Sequence, residues 1–191
     1  MMTPAMISAD SIEPQRWRNG GGQTRELFTW PADGPWRLRI SRADIDADGP
    51  FSAFPGVTRW FSVLQGNGVE LNLDGRRHRV LADGDALNFD GALAPGCTLI
   101  DGPTQDLNLM AIGGTSTMAR VKPGTPWDPA WTLCGLYTTV AGTWRNTHGP
   151  CRVASHTLAW QHAAEAPGPW TFTPEPGARG HAWWLGYTPK D

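Results

Sequence analysis

The chain has 191 residues, a formal net charge of −2 and a sequence pI near 6.2, and this length suffices for one core or for two small halves of one fold. Only 18% of its residues are charged and they form no basic stripe, which argues against nucleic acid as a partner. Three widely spaced cysteines indicate reduced thiols, and no segment has the pattern of an export signal or a membrane span. We therefore expect a cytoplasmic protein without a membrane partner.

The first unusual segment is Trp17 to Glu26, which reads W-R-N-G-G-G-Q-T-R-E. Glycine loses more backbone entropy on folding than any other residue, so three in succession predict a turn with positive φ or a backbone packed against a ligand or another strand. The spacing does not fit a phosphate loop, and no strand-to-helix context for a dinucleotide fingerprint surrounds it.

The rest of the chain reads as short segments of alternating polarity, separated by many of its 23 Gly and 17 Pro residues. No window keeps a helical period for three turns, so the pattern predicts an all-β protein of barrel or sandwich type. Strands are predicted at 37–41, 59–64, 69–73 and 106–110, then at 133–140, 153–160 and 182–187, with a tight turn at Asp74-Gly75. A segment rich in Gly, Thr and Pro at 113–129 suggests two β lobes, 1–115 and 116–191.

Two features of the first lobe are similar to cupin barrels: the turn Val63-Leu64-Gln65-Gly66 and the later Gly84-Asp85. Four blocks then resemble the HutD/Ves family: W-R-N-G-G-G-x-T-R-E from Trp17, R-I-S-x-A-x-I from Arg39, G-P-F-S-x-F-P-G-x-x-R from Gly49, and D-L-N-L-M from Asp106. The resemblance implies a compact bicupin of bacterial origin, often encoded with the histidine-utilisation enzymes. It implies no established catalytic activity, and suggests a small-molecule-binding modulator of that pathway or of a stress response.

Metal and catalytic motifs are missing from the sequence pattern. Enzymatic cupins mostly hold a metal through a His-x-His…Glu set, whereas here Arg59 stands about where the carboxylate ligand would be, and a guanidinium cannot coordinate a cation. The chain has no G-x-S-x-G motif, and none of its cysteines lies in a His or Asp setting. We therefore expect no metal, no cofactor and no catalytic residues, which favours a protein that is not an enzyme.

Polar residues of the family blocks are the candidates for a binding site. Arg39 and Ser41 share one strand face by the period-two rule, and Asp106 and Asn108 share another. A guanidinium of Arg39 or Arg59 would bind a carboxylate through two N–H groups, neighbouring hydroxyls and amides would orient it, and the glycine N–H groups would form an anion nest. The predicted ligand-binding residues are Asn19, Gly21, Thr24, Arg39, Ser41, Ser52, Arg59, Asp106 and Asn108.

A structural interpretation of the same residues stays open. Arg39 or Arg59 would then pair with Glu26 or Asp106 in a buried network that specifies the fold. The functional hypothesis is a metal-free cupin that binds a small carboxylate, formylglutamate-like or urocanate-like. One alternative is a metal-independent isomerase or hydrolase that acts on such an intermediate, with Asp106 as the residue to test.

The 11 Trp residues are the last anomaly of the composition. Their spacing is irregular, which favours packing in a Gly-rich and Pro-rich β core, or an oligomer interface such as a homodimer, over a stacking platform for a ligand. Trp183 and Trp184 point to opposite faces of one strand, so one ring is expected to be available for a dimer contact. A third functional hypothesis is a protein-interaction module that uses the Trp-rich second half.

Overall fold

A computed structural model describes residues 4–190, and the structural statements below refer to this part of the chain. Short strands make up nearly all of its regular structure, with three single 3-10 turns at Ala9–Ser11, Gly91–Leu93 and Ala163–Glu165. The all-β prediction is therefore confirmed. The strands are β1 (Ala5–Ser8), β2 (Gln15–Arg16), β3 (Gly22–Trp30), β4 (Leu38–Ile45), β5 (Gly49–Pro50), β6 (Val57–Gln65), β7 (Val69–Leu73), β8 (Arg76–Val80), β9 (Leu87–Asp90), β10 (Gly96–Leu99), β11 (Thr104–Ile112), β12 (Thr115–Arg120), β13 (Leu133–Thr138), β14 (Gly142–Asn146), β15 (Gly149–Val153), β16 (Thr157–His162), β17 (Thr171–Pro174) and β18 (Ala182–Thr188).

The chain divides into two units by its internal contacts. Ile12–Gly113 form the first unit, and the second unit joins the N-terminal segment up to Ser11 with the chain from Gly114 onwards. The N-terminal segment belongs to the second unit because β1 pairs with β16 in antiparallel register, Ala5 opposite Trp160. This strand is absent from the sequence prediction, since its partner lies about 150 positions away and nothing local encodes it.

Two antiparallel sheets build the first unit as a sandwich rather than as a closed barrel. The six-stranded sheet has the order β2-β3-β4-β11-β6-β9, and the four-stranded sheet has the order β5-β10-β7-β8. Both sheets contribute apolar side chains to one core cluster, among them Phe61 and Val63 from β6 and Leu71 from β7. The predicted tight turn is confirmed: Asp74 and Gly75 connect β7 to β8 with φ of 49° and 76°, as a hairpin of matching twist requires.

The register of the six-stranded sheet positions the candidate site. In one cross-strand row, Arg39 of β4 lies opposite Met110 of β11, and Met110 lies opposite Arg59 of β6. In the next row, Ser41 lies opposite Asn108 and also opposite Glu26 of β3. Directly opposed residues point to the same face of a sheet, so the pairing brings these polar side chains to one face.

The second unit contains a five-stranded sheet, β1-β16-β13-β18-β12, and a three-stranded sheet, β15-β14-β17. Its core holds a cluster of indole rings, in which Trp127 stacks on Trp184 at 5.1 Å between centroids and Trp144 meets Trp170 at 4.8 Å. Glycines make room for such rings: a Cβ added at Gly186 would lie 2.5 Å from the ring of Trp131.

The prediction of an exposed ring in the Trp183-Trp184 pair is wrong. Trp183 is 0% exposed and Trp184 is 2% exposed. The reason is that β18 lies between β13 and β12, and every side chain from Ala182 to Tyr187 is buried on either face of the strand. The described chain also contains no helix of the length and apolar character that a membrane crossing needs.

Candidate functional site

A pocket of about 450 Å³ opens on the face of the six-stranded sheet that carries Arg39, Ser41 and Asn108, next to the core residues Ile45 and Phe61. Its wall combines side chains of β3, β4, β6 and β11 with two further segments, 15–19 and 50–54, which include β2 and the end of β5. Seven of the nine predicted binding residues line it: Asn19, Thr24, Arg39, Ser41, Ser52, Arg59 and Asn108. Gly21 and Asp106 do not. Sequence blocks that lie up to ninety positions apart therefore meet at one cavity, while ligand binding there stays a prediction.

The glycine triplet spans the end of the turn between β2 and β3 and the first residue of β3. Gly20 has φ of 72° and its N–H donates to the carbonyl of Trp17 at 3.0 Å, while the N–H of Gly21 donates to Oδ1 of Asn19 at 3.0 Å. Gly22 lies in the strand, where a Cβ would collide with the carbonyl oxygen of Asp44 and lie 3.2 Å from the ring of Trp17. The N–H groups of Gly20 and Gly21 are thus used inside the turn, and the predicted anion nest has no donors left from them.

Asp106 lies on the same face of β11 as Asn108, but it is completely buried and outside the pocket wall. Its Oδ2 accepts a hydrogen bond of 2.8 Å from Oγ1 of Thr104, and its Oδ1 has no partner among the described residues. Burial raises the pKa of the Asp106 carboxyl well above its usual range, against the opposing effect of the Thr104 hydrogen bond, and the charge of Asp44 raises it further. Asp106 is therefore a carboxyl group held toward its neutral form.

Arg59 is the buried cation of the pocket, with only 4% of its surface exposed. Its Cζ lies 5.0 Å from the ring centroid of Phe51, 5.8 Å from that of Phe54 and 5.2 Å from that of Phe89. Nη2 donates a hydrogen bond of 2.9 Å to Oδ1 of Asn108, whereas Nε and Nη1 have no partner among the described residues.

The charge state of Arg59 reflects this environment. Burial, and to a smaller extent the nearby charge of Arg39, lower the pKa of the Arg59 guanidinium to about 10. No carboxylate in the described part of the chain forms an ion pair with it. Rings that face a guanidinium attract it, but they do not replace an anion as a hydrogen-bond acceptor.

Arg39 differs from Arg59 because it has a carboxylate partner. Its Nε lies 2.8 Å from Oε2 of Glu26, with 20% of the Arg39 side chain and 42% of the Glu26 side chain exposed. The Nε–H bond is not directed at that oxygen, so the contact is ionic rather than a well-aligned hydrogen bond. The network interpretation thus fits Arg39, which pairs with Glu26, and does not fit Arg59 and Asp106, which do not pair.

The pocket wall has a surplus of positive charge. Among the described residues that line it are four arginines, Arg16, Arg18, Arg39 and Arg59, and no Asp or Glu. Arg16 and Arg18 are exposed and were not among the predicted site residues. In the sequence, the feature that could have identified them is their position on either side of Trp17. The indole N–H of Trp17 donates a hydrogen bond of 2.7 Å to Oγ1 of Thr24, and this bond holds segment 15–19 against β3.

Metal binding and thiol chemistry find little support in the described residues. No three His, Cys, Asp or Glu side chains in this part of the chain are arranged to hold a metal ion. Cys97 and Cys134 are buried, and burial raises the pKa of each thiol to about 12. A thiol that stays protonated is a poor nucleophile.

An all-β sandwich with a pocket on the face of one sheet places the chain in the class of cupin-like proteins. A variant of oxalate decarboxylase from Bacillus subtilis has the same fold, with a TM-score of 0.66 at 9% identity over 100% of this chain and 78% of that one, a likeness of fold alone. The profile of the HutD family matches residues 9–125, and the chain belongs to this family.

Individual relatives extend this assignment. A 21.2 kDa protein from the hutC 3′ region of Pseudomonas putida is 38% identical over 109 residues, or 55% of this chain and 56% of that protein, so the chain spans about half the length of this relative. Protein Ves of Cronobacter sakazakii is 34% identical over 157 residues, which cover 74% of this chain and 83% of Ves.

Two solved structures are similar over almost the whole chain. A conserved protein from Pseudomonas aeruginosa PAO1 gives a TM-score of 0.85 at 25% identity, covering 98% of this chain and 100% of that one. HutD from Pseudomonas fluorescens SBW25, solved in a formate condition, gives 0.83 at 22% identity, covering 98% and 99%.

Proposed function

We propose that this protein binds a small carboxylate in the pocket of the first unit, and that binding modulates histidine utilisation or a stress response without catalysis. The observation that carries the proposal is Arg59: a buried cation that lines the pocket and has no acidic partner among the described residues. Burying a charge costs free energy unless it is paired. A bound anion would supply the missing partner.

The stereochemistry of Arg59 favours a carboxylate. A guanidinium carries five N–H hydrogens in a planar fork, two of them on Nη2, and Asn108 uses one of these two. The other hydrogen on Nη2 still forms a donor pair with either Nε or Nη1, so one edge for a bidentate carboxylate remains. The rings of Phe51 and Phe54 cover the guanidinium, and Phe54, which is half-buried, would shift for the ligand to reach that edge.

The size and lining of the pocket suit a metabolite rather than a bare ion. About 450 Å³ is within the range of small-molecule sites, and Ser41, Ser52 and Arg39 offer further hydrogen bonds. A formylglutamate-like or urocanate-like compound meets these requirements. The relative from the hutC region and the HutD structure from a formate condition support this choice of ligand class.

Two finer features belong to the same proposal. We take the two units as two cupin-like lobes, so the protein would be a bicupin. Its three free cysteines, Cys97, Cys134 and Cys151, suit the reducing conditions of the cytoplasm.

The test measures the thermal unfolding of the wild-type protein and of the variant Arg59→Met. Each protein is measured alone and in the presence of urocanate, formylglutamate or histidine. A ligand at a hundred times its Kd adds about 2.7 kcal/mol to the free energy of unfolding, so one carboxylate should raise Tm by several degrees. Arg59→Met should abolish the shift while its own Tm stays equal or rises, since replacing a buried uncompensated charge by an apolar side chain relieves desolvation.

Arg76→Met is the matched control, because Arg76 is exposed at the edge strand β8 and should leave the ligand response intact. A protein that responds to no carboxylate would contradict the proposal. An Arg59→Met variant that unfolds would instead support the purely structural interpretation of this residue.

The structure gives no observation that favours the two rival functions. Asp106, the residue proposed for an isomerase or hydrolase, is buried outside the pocket wall. Trp144, Trp170, Trp183 and Trp184, which a docking surface on the second half would need, lie in the interior. Binding of a small ligand therefore remains the function we propose.

A further inference from the structure

Glu26 is a carboxylate on the pocket face of the six-stranded sheet that sequence analysis did not assign to the binding site. It lies opposite Ser41 in the β3–β4 register, and Ser41 lies opposite Asn108. Both Ser41 and Asn108 line the pocket, so Glu26 belongs to the same cross-strand row and the same face. Its Oε2 is 2.8 Å from Nε of Arg39.

The inner set of charges at the site consists of Arg39, Arg59 and Glu26, the partner of Arg39, whose side chain is 42% exposed and which does not itself line the pocket. Arg39 and Arg59 flank Met110 in one cross-strand row, close enough for the charge of Arg39 to lower the pKa of Arg59. Glu26 offsets one of the two positive charges, and among the described residues no Asp or Glu lines the pocket wall. Arg16 and Arg18 lie at the exposed end of the wall, where solvent and salt screen them. The inner set carries a net charge of +1.

We propose that Glu26 is the residue that selects the charge of the bound group, so that the inner pocket accepts a singly charged carboxylate and discriminates against a doubly charged phosphate or phosphonate. This inference rests on the proposed function, since it specifies the anion that the Arg59 site takes. One negative charge neutralises the inner set. A second negative charge on the same group has no cation of its own in the inner set and is repelled by the carboxylate of Glu26.

The contact geometry fits a charge-setting role. Because the Nε–H of Arg39 is not aimed at Oε2, Glu26 compensates the charge of Arg39 without consuming a well-formed hydrogen bond. The side chain of Arg39 is 20% exposed and lines the pocket, so a ligand there can contact its guanidinium. Discrimination by an unfavourable like charge is a common device of specific sites, because it penalises the wrong ligand more than it stabilises the right one.

The experiment measures the Kd of acetate and of methylphosphonate for the full chain at pH 8.5, by thermal-shift titration at constant ionic strength. These two probes both carry a methyl group and differ in charge, since methylphosphonate is doubly ionised at this pH. The wild-type protein should prefer acetate, and Glu26→Gln should reduce this preference by about tenfold, which corresponds to about 1.4 kcal/mol. At pH 6, where methylphosphonate is singly ionised, the preference of the wild-type protein for acetate should also become smaller.

Glu70→Gln is the control, because Glu70 also lies beside an arginine, Arg77 at 3.6 Å, but on the four-stranded sheet. It should leave the preference unchanged. A wild-type protein that binds acetate, together with a Glu26→Gln variant that weakens both probes equally or changes neither, would overturn the inference alone and make Glu26 a structural partner of Arg39. A wild-type protein that binds neither probe nor the metabolite carboxylates would overturn the proposed function, and this inference with it.

Discussion

Arg59 donates a hydrogen bond of 2.9 Å from Nη2 to Oδ1 of Asn108, a neutral acceptor on the adjacent strand β11. Among the described residues this is the guanidinium's one side-chain hydrogen bond. An amide fixes the orientation of a guanidinium without neutralising it, so the pocket keeps an oriented positive charge. A carboxylate at position 108 would hold the guanidinium in the same orientation and neutralise its positive charge.

The variant Asn108→Asp tests this relationship directly. The new carboxylate should pair with Arg59, raise the pKa of its guanidinium and compete with a ligand for the same donors. We expect the affinity for a small carboxylate to fall by at least about tenfold, measured by calorimetry, with a Tm equal to or above that of the wild type. Asn72→Asp, an exposed position on β7, is the control for the added charge. Unchanged affinity in Asn108→Asp would show that the ligand does not use Arg59.

The glycine triplet gives a graded set of stability predictions. Gly22→Ala places a Cβ against the carbonyl of Asp44 and the ring of Trp17, so it should cost about 1–3 kcal/mol through overpacking. Gly20→Ala meets open space but has φ of 72°, which costs an L-residue about 1–2 kcal/mol. Gly21→Ala makes contacts of 3.5 Å or longer, and should change the free energy of unfolding by less than about 0.5 kcal/mol.

Urea denaturation of the three variants measures these differences. Because Gly22→Ala also displaces Trp17, which closes one side of the pocket, this variant alone should weaken carboxylate binding as well. Equal losses of stability at all three positions would mean that the turn depends on glycine for flexibility and not on the specific contact at Gly22.

Local patterns predicted a large part of this fold and site. The alternation in β4, β7 and β11 and the turn at Asp74-Gly75 follow from side-chain periodicity and turn chemistry, which depend on neighbours in sequence. The period-two rule also placed Arg39 with Ser41 on one strand face. Both side chains line the pocket in the structure.

The remaining features depend on long-range pairing. β3 reads G-Q-T-R-E-L-F-T-W, a mostly polar run that becomes a strand because it pairs with β4. The sequence offered Glu26 or Asp106 as partners of Arg39 or Arg59. The pairing of Glu26 with Arg39 follows from that register and from the bulge after Glu26, neither of which is visible in sequence. Asp106 illustrates the converse: its strand and face follow from the sequence pattern, but its complete burial depends on how the two sheets pack.

Thiol reactivity provides a prediction that is independent of any ligand. Cys97 and Cys134 are buried with thiol pKa values raised to about 12, whereas Cys151 is partly exposed on β15. In the native protein at pH 8 we expect one thiol to react with a disulfide reagent within minutes, and all three to react after denaturation. Cys151→Ser should remove the fast phase. Rapid reaction of two or more thiols in the native protein would contradict the burial of Cys97 and Cys134.

Asp106 predicts how stability depends on pH. Its carboxyl is fully buried and its pKa is raised in the folded state by loss of solvation, so the folded chain holds a proton that the unfolded chain releases. The contribution of Asp106 to the free energy of unfolding is therefore undiminished below its pKa in the unfolded chain, about 3.9. It falls as the pH rises above this value and levels off above the pKa of Asp106 in the folded protein. Asparagine cannot ionise and can still accept the hydrogen bond from Thr104.

The variant Asp106→Asn should consequently gain stability relative to the wild type as the pH increases from 4.5 to 8.5, as measured by urea denaturation at each pH. The slope of this difference is the readout, because an amide nitrogen in place of the unpartnered Oδ1 adds a cost that is the same at every pH. Asp83→Asn, at an exposed position, is the control for the loss of a carboxyl group. A flat difference for Asp106→Asn would mean that Asp106 is ionised in the folded protein and has an anion-stabilising partner, as the interpretation of a buried charged network requires.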